Sequence, residues 1–133
     1  MLKFVILPVN TAKMAQHNEL GKQGEEVAAR LLKSEGYAIV ERNWNFHGYE
    51  IDIVAENEEF IVFVEVKTRT SVQWGNPEDF VGKSRQRRMI EGANHYLIEN
   101  DINKPARFDI IGAVWNGRTF ETEHIEDAFL PFL

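Results

Sequence analysis

The stretch from Glu50 to Thr70, "EIDIVAENEEFIVFVEVKTRT", carries Asp52, Glu65 and Lys67 on segments otherwise rich in Ile, Val and Phe. Charged side chains on apolar strands cost free energy unless they are paired, hydrated or bound to a cation. The spacing predicts a hairpin. With the turn centred on Glu58 and Glu59, Asn57 faces Phe60, Val54 faces Phe63 and Asp52 faces Glu65. Opposed side chains of an antiparallel pair lie about 5 Å apart at Cβ, and alternation puts Glu65 and Lys67 on one face. A slip of one residue would separate the three. Two opposed carboxylates repel, so something must offset them: a shared proton, Lys67, or a divalent cation. A hard cation such as Mg2+ takes one or two carboxylates, keeps several waters and shares phosphate oxygens. A lysine beside it would orient the attacking water or stabilise charge building on phosphate. The plain alternative is a solvent-facing Glu65–Lys67 pair of little energetic worth. The run "FIVFVEV", which reads as a central strand, and Asp52 opposite it weigh against that alternative.

The elements that must position these residues follow from periodicity and punctuation. Asn18 is a candidate cap for a first helix in which Val27, Ala28, Leu31 and Leu32 form an apolar stripe. Gly36 after "LLKSE" reads as its C-cap. "YAIVERNW" is a first strand, followed by strands at about 50–56 and 60–68. "RTSVQWGNPED" is a polar loop in which Trp74 serves to anchor the loop or to stack on a base. A second helix starts near Pro77 or Gly82 and ends at Glu99, then come the strand "RFDIIGAVW" and the weaker "TFETEHIEDAF". The acidic residues of that last segment read as a solvated face. The expected order is α-β-β-β-α-β-β in an α/β domain.

With 133 residues, 44% hydrophobic and 27% charged, the chain suits one domain with its own core. Residues 18–133 form that domain, and residues 1–17 an N-terminal extension or edge segment, with Met14 as an alternative start. "MLKFVILPVN" is too short to span a membrane and lacks the cleavage site of a secretory signal. The absence of cysteine excludes disulfides, thiol nucleophiles and Cys-ligated zinc, and fits the cytoplasm. The four histidines show no metal-ligand spacing.

The net charge of −6 argues against a uniformly nucleic-acid-binding surface, but its distribution is uneven. Between positions 67 and 88, Lys67, Arg69, Lys83, Arg85, Arg87 and Arg88 stand against Glu78 and Asp79 only. "KSRQRR" at the start of the second helix opposes the helix dipole, which favours a functional reason such as phosphate contact over a merely solvated face. Gln86 lies among these residues as a further candidate. Arg107 and Asp109 in "RFD" read either as a support pair behind the site or as strand-end charges.

Asp52 with "EVK" resembles the D…(D/E)-x-K signature of restriction-endonuclease-like nucleases, with Ile51 where many members have proline. Adding "GKQGEEVAARLL", "ERNW", "EIDIVA", "VFVEVKTR", "ANHYL" and "RFDII", the chain resembles the bacterial UPF0102 (YraN) family from about Asn18 to Val114. That family is similar to archaeal Holliday junction resolvases, metal-dependent nucleases for branched DNA. The resemblance implies a restriction-endonuclease-like core with a mixed central sheet flanked by helices. It implies Asp52, Glu65 and the Val66 carbonyl as ligands of Mg2+ or Mn2+, Lys67 beside the attacking water, and Glu25 completing the acidic site. Glu50 shares the E-I-D motif with an open role. The expected activity is a metal-dependent endonuclease acting on DNA, with a homodimer or a DNA-processing partner as candidate assemblies. The competing expectation is a non-catalytic nucleic-acid-binding or protein-interaction module of a DNA-processing complex.

Overall fold

The computed structural model describes residues 2–5, 17–70 and 81–131. Strand β1 (Leu2–Val5) is followed by helix α1 (His17–Ser34), strands β2 (Ala38–Phe46), β3 (Tyr49–Glu56) and β4 (Ile61–Arg69), helix α2 (Lys83–Glu99), and strands β5 (Ala106–Trp115) and β6 (Phe120–Ile125). The strands form one sheet in the order β1-β6-β5-β4-β3-β2. All neighbours are antiparallel except β4 and β5. A parallel pair needs a crossover, and α2 provides it. From α1 onward the element order is the predicted α-β-β-β-α-β-β, in a mixed sheet flanked by helices. β1 joins that sheet as an edge strand beside β6.

Strand β4 shows why the central run is continuously apolar. Ile61 and Phe63 pack with Met89, Ala93 and Tyr96 of α2, while Val62 and Val64 pack with Ala28, Leu31 and Leu32 of α1. Both faces of the strand are covered, so alternation between apolar and polar residues disappears. Each helix therefore buries one stripe on one face of the sheet. Burying a Leu or Phe side chain contributes about 1.5–3 kcal/mol.

The punctuation works locally. Gly36 has φ +95°, its N–H reaches the Lys33 carbonyl, and the Tyr37 N–H reaches the Leu32 carbonyl at 3.0 Å. This is the C-terminal cap expected of a glycine after a helix. Helix α1 begins at His17, one residue before the boundary that Asn18 suggested, so Asn18 lies inside the helix. Helix α2 is capped at Gly82. A start at Pro77, and Trp74 with its loop, lie outside the described residues.

The predicted hairpin register is observed from the turn as far as Ile53↔Val64, one pair short of the expected Asp52–Glu65 pair. Val54 pairs with Phe63, and the Asn57 N–H donates to the Phe60 carbonyl. The Asn57 side chain also accepts from the Glu59 and Phe60 N–H groups, which closes the turn. Strand β2 runs two residues past the expected Trp44, to a tight turn at His47 and Gly48, both at positive φ.

Candidate active site

Asp52 belongs to neither ladder beside it. Strand β2 pairs with Ile53 and Ile51 but skips Asp52, and the β3–β4 ladder ends at Ile53↔Val64. Opposite the gap, Asn43 has φ +53°, a conformation Asn tolerates better than most residues. Alternation changes there: Ile53 faces the α1 core, Ile51 faces the α2 core. Beyond this point β3 pairs only with β2, and β4 only with β5. The two central strands part, and Asp52, Glu65 and Lys67 stand at the opening.

Asp52 Oδ2 accepts the Val66 N–H at 2.8 Å. The aspartate side chain takes over where the strand pairing stops, holding β3 to β4. Glu65 is almost withdrawn from water, its side chain 7% exposed. Lys67 Nζ lies 3.7 Å from Glu65 Oε2, and Arg85 engages both Glu65 oxygens, Nε at 3.2 Å and Nη2 at 2.9 Å. Two adjoining cavities of about 280 and 190 Å³ are both lined by Glu25 and Asp52. Val66 and Thr68 line the second, and Glu50 the first.

The electrostatics are unbalanced. Burial, then the Glu65 charge, push the Asp52 carboxyl up to about 7, against the Val66 N–H. Burial also raises Glu25; Arg42 and Asn43 oppose this, and Glu65 adds to it. Helix α1 brings Glu25 near because Gly24 packs directly on β4. A methyl at position 24 would lie 2.9 Å from Thr68 Cβ, so only glycine permits this approach.

Asp52, Glu65 and Lys67 are thus brought together, with Glu25 across the cavity. Among the described residues, no three acidic or histidine side chains stand close enough to hold a metal ion between them. The donor chemistry still suits a hard divalent cation. Asp52 and Glu65 offer only oxygen, and such an ion needs no more than one or two carboxylates. Among the described residues no cation stands at hydrogen-bonding distance from Asp52, whose carboxyl takes the Val66 N–H and a hydrogen bond with Glu65. Val66 contributes its N–H to Asp52. The Glu50 side chain is on the surface, accepting from Asn45 at 3.4 Å, and the Glu50 carbonyl accepts from Arg85 at 2.8 Å.

The basic residues divide. Arg85 is turned onto Glu65, and Arg88 lies over the Tyr49 ring with Nη2 on the Gly48 carbonyl at 2.9 Å. Arg69, Lys83 and Arg87 are exposed. Gln86 is buried and donates to the Val81 carbonyl at 2.9 Å. Sequence reasoning missed Asn43, whose signal was a residue uncommon in strands inside "ERNWNF". The acidic residues of the C-terminal end are exposed or half-exposed, as expected of a solvated face, but His124 among them was missed. His124 there is in fact buried, its ring nitrogens 2.7 Å from Asp109 and 2.7 Å from Glu35. Arg107 binds Asp109 through Nε and Nη2. This network joins the end of α1 to β5 and β6. It lies on the order of 15 Å along the helix from Glu25, at 1.5 Å per residue.

Fold and cleft together define an α/β protein with the element order of the restriction-endonuclease-like core. Residues 24–113 match the family described as uncharacterised protein family UPF0102. The chain is 45% identical to a UPF0102 protein of Flavobacterium psychrophilum over 119 residues, covering 90% of this chain and all of the relative. It is 48% identical over 118 residues to one from Phocaeicola vulgatus, covering 89% and 98% of the two chains. A Flavobacterium johnsoniae relative is 46% identical over 125 residues, 90% of this chain and 100% of that one. The chain belongs to the UPF0102 family. Among the described residues no helix is long and apolar enough to cross a membrane.

Proposed function

We propose that this protein is a metal-dependent endonuclease that hydrolyses phosphodiester bonds in DNA, with branched DNA as a candidate substrate. The observation that carries this reading is the carboxylate pair at the parting of β3 and β4. Asp52 and Glu65 face one another, Asp52 is pushed up to about 7, and Lys67 stands 3.7 Å from Glu65. Carboxylates displaced so far from their ordinary value by burial and like charge cluster at functional sites.

In this reading Asp52 and Glu65 hold Mg2+ or Mn2+, with the Val66 carbonyl as a further ligand. The bound cation supplies Lewis-acid polarisation of the phosphate and a more acidic water. Asp52 is fixed by the Val66 N–H, so its second oxygen is oriented without further ordering. Lys67, its side chain 35% exposed, can reach a phosphate oxygen and stabilise the charge that builds there. Glu25 faces the same cavities from α1 and adds negative charge at their edge. Exposed Arg69, Lys83 and Arg87 would meet neighbouring phosphates.

One observation favours a second reading, a non-catalytic nucleic-acid-binding or interaction module: Glu65 already has a bidentate partner in Arg85. Cleavage of labelled duplex, single strand, flap and four-way junction separates the two. The assay runs in Mn2+, Mg2+ or EDTA, with folded Glu65→Ala as control. The nuclease reading expects cutting that requires metal and disappears in Glu65→Ala. Intact DNA in every lane, without calorimetric Mn2+ binding, would leave only the module.

A further inference from the structure

Among the described residues, Glu65 is the carboxylate of the cleft that has a two-point cationic partner. The Arg85 fork engages both of its oxygens, and Nη2 also donates to the Glu50 carbonyl at 2.8 Å. Planar, two-point pairing of this kind is the strong form of the arginine–carboxylate contact. Lys67 approaches only one oxygen, at 3.7 Å. Asp52 receives the Val66 N–H and faces the negative charges of Glu65 and Glu25. The cleft is therefore half neutralised.

A divalent cation using Glu65 needs an oxygen that Arg85 now holds. It would also bring two positive charges beside a guanidinium in a partly buried place, where repulsion is stronger than in water. A cation on Glu65 would therefore weaken the Arg85 pair through charge repulsion, and Arg85 would weaken the hold on the cation.

We propose that Arg85 is an internal substitute for the cation, a latch that holds Glu65 in the metal-free protein and leaves when a divalent ion binds. This rests on the reading of Asp52 and Glu65 as cation ligands. Two features suit release. Arg85 lies in the first turn of α2, and its side chain is 27% exposed, so it has a path to solvent. Besides Glu65, its one hydrogen-bond partner among the described residues is a main-chain carbonyl. Once free, the same planar fork fits a phosphate, so loading the cation also arms the cleft for its substrate. The latch sets cation affinity below what the carboxylates alone would give, and spares the metal-free fold an unpaired Glu65.

Calorimetric titration of Mn2+ into wild type, Arg85→Gln and Arg85→Lys, without DNA and at pH 8, tests this. Thermal melts of the metal-free proteins check folding. Arg85→Gln is expected to bind Mn2+ about tenfold more tightly than wild type. Arg85→Lys, which keeps the charge but loses the fork, should fall between. If Arg85→Gln does not fold, Arg85→Lys decides alone by binding more tightly than wild type or not. Equal or weaker binding by the folded variants, with wild type still binding, overturns the latch and leaves the cation site standing. No binding by any of the three proteins overturns both.

Discussion

Asp109 on β5 is fully buried and receives four hydrogen bonds: two from Arg107 at 2.9 and 2.7 Å, one from His124 at 2.7 Å and one from the Asp127 N–H at 3.0 Å. Asp52 on β3 receives the Val66 N–H at 2.8 Å and faces two other carboxylates. Burial pushes both upward. At Asp109 its partners outweigh burial and hold the carboxyl below its ordinary value. At Asp52 Glu65 adds to burial, and the carboxyl rises to about 7. The same residue type on neighbouring parts of one sheet thus serves opposite ends. One network is closed and lends stability. The other is left open, and its missing positive charge is what a cation would bring.

The largest expected effect comes from opening the closed network. Asp109→Asn strips Arg107 and His124 of their shared partner, and breaking a buried pair costs about 3–5 kcal/mol. Chemical denaturation should show that loss. A loss within about 0.5 kcal/mol would make the network ornamental and dissolve the comparison. Its pH dependence sharpens the point. Burial lowers the His124 pKa, but Asp109 and Glu35 outweigh it and raise it. The imidazolium therefore contributes stability that is full below the unfolded value near 6.5 and lost as pH rises through the folded value. Melts above pH 6.5 should fall for wild type and fall less for His124→Gln.

Asp52→Asn should have the opposite sign. The amide still accepts the Val66 N–H but removes the repulsion with Glu65. A stabilisation of about 1–2 kcal/mol at pH 8 is expected, as for other strained functional residues. DNA cutting should fall to background in the same protein. The pH sign is fixed by the raised folded value. The contribution of Asp52 to stability is present below about 3.8 and is lost as pH rises through about 7. Wild type should lose stability over that window, and Asp52→Asn should lose less. Gly24→Ala is expected to cost about 1–3 kcal/mol by overpacking against Thr68. It would shift Glu25 as well, so its cutting should weaken beyond its melting change.

Much of this was legible in the chain. The "NEE" turn set the hairpin register as far as Ile53↔Val64, which brings Asp52 and Glu65 close without pairing them in the ladder. The apolar run of β4 showed that the charges sit on a buried strand. What was not legible depends on contacts between distant residues. Arg85 reaches Glu65 across twenty positions, and its place in "KSRQRR" points as readily to phosphate or solvent. His124 meets Glu35 across 89 positions, so "EHIEDAF" reads as an ordinary acidic face. Arg107 and Asp109 share a face by strand alternation, which made their pairing visible but not their partners. Asn43 turns β2 at a single positive φ, a local choice that periodicity does not carry.

The smallest expected effect concerns the exposed cations. Neutralising Lys83 and Arg87 together should leave stability within about 0.5 kcal/mol. It should lower the slope of log DNA affinity against log salt by about 2, one for each phosphate contact. An unchanged slope would remove these two residues from the proposed DNA surface.

The contrast between the two aspartates is tested most directly by carboxyl 13C NMR titration of Asp52 and Asp109, with and without Mg2+. The account predicts Asp52 titrating near 7 without Mg2+ and moving downward when it is added. Asp109 should stay below its ordinary value in both. An Asp52 that titrates near 4 and ignores Mg2+ would contradict it.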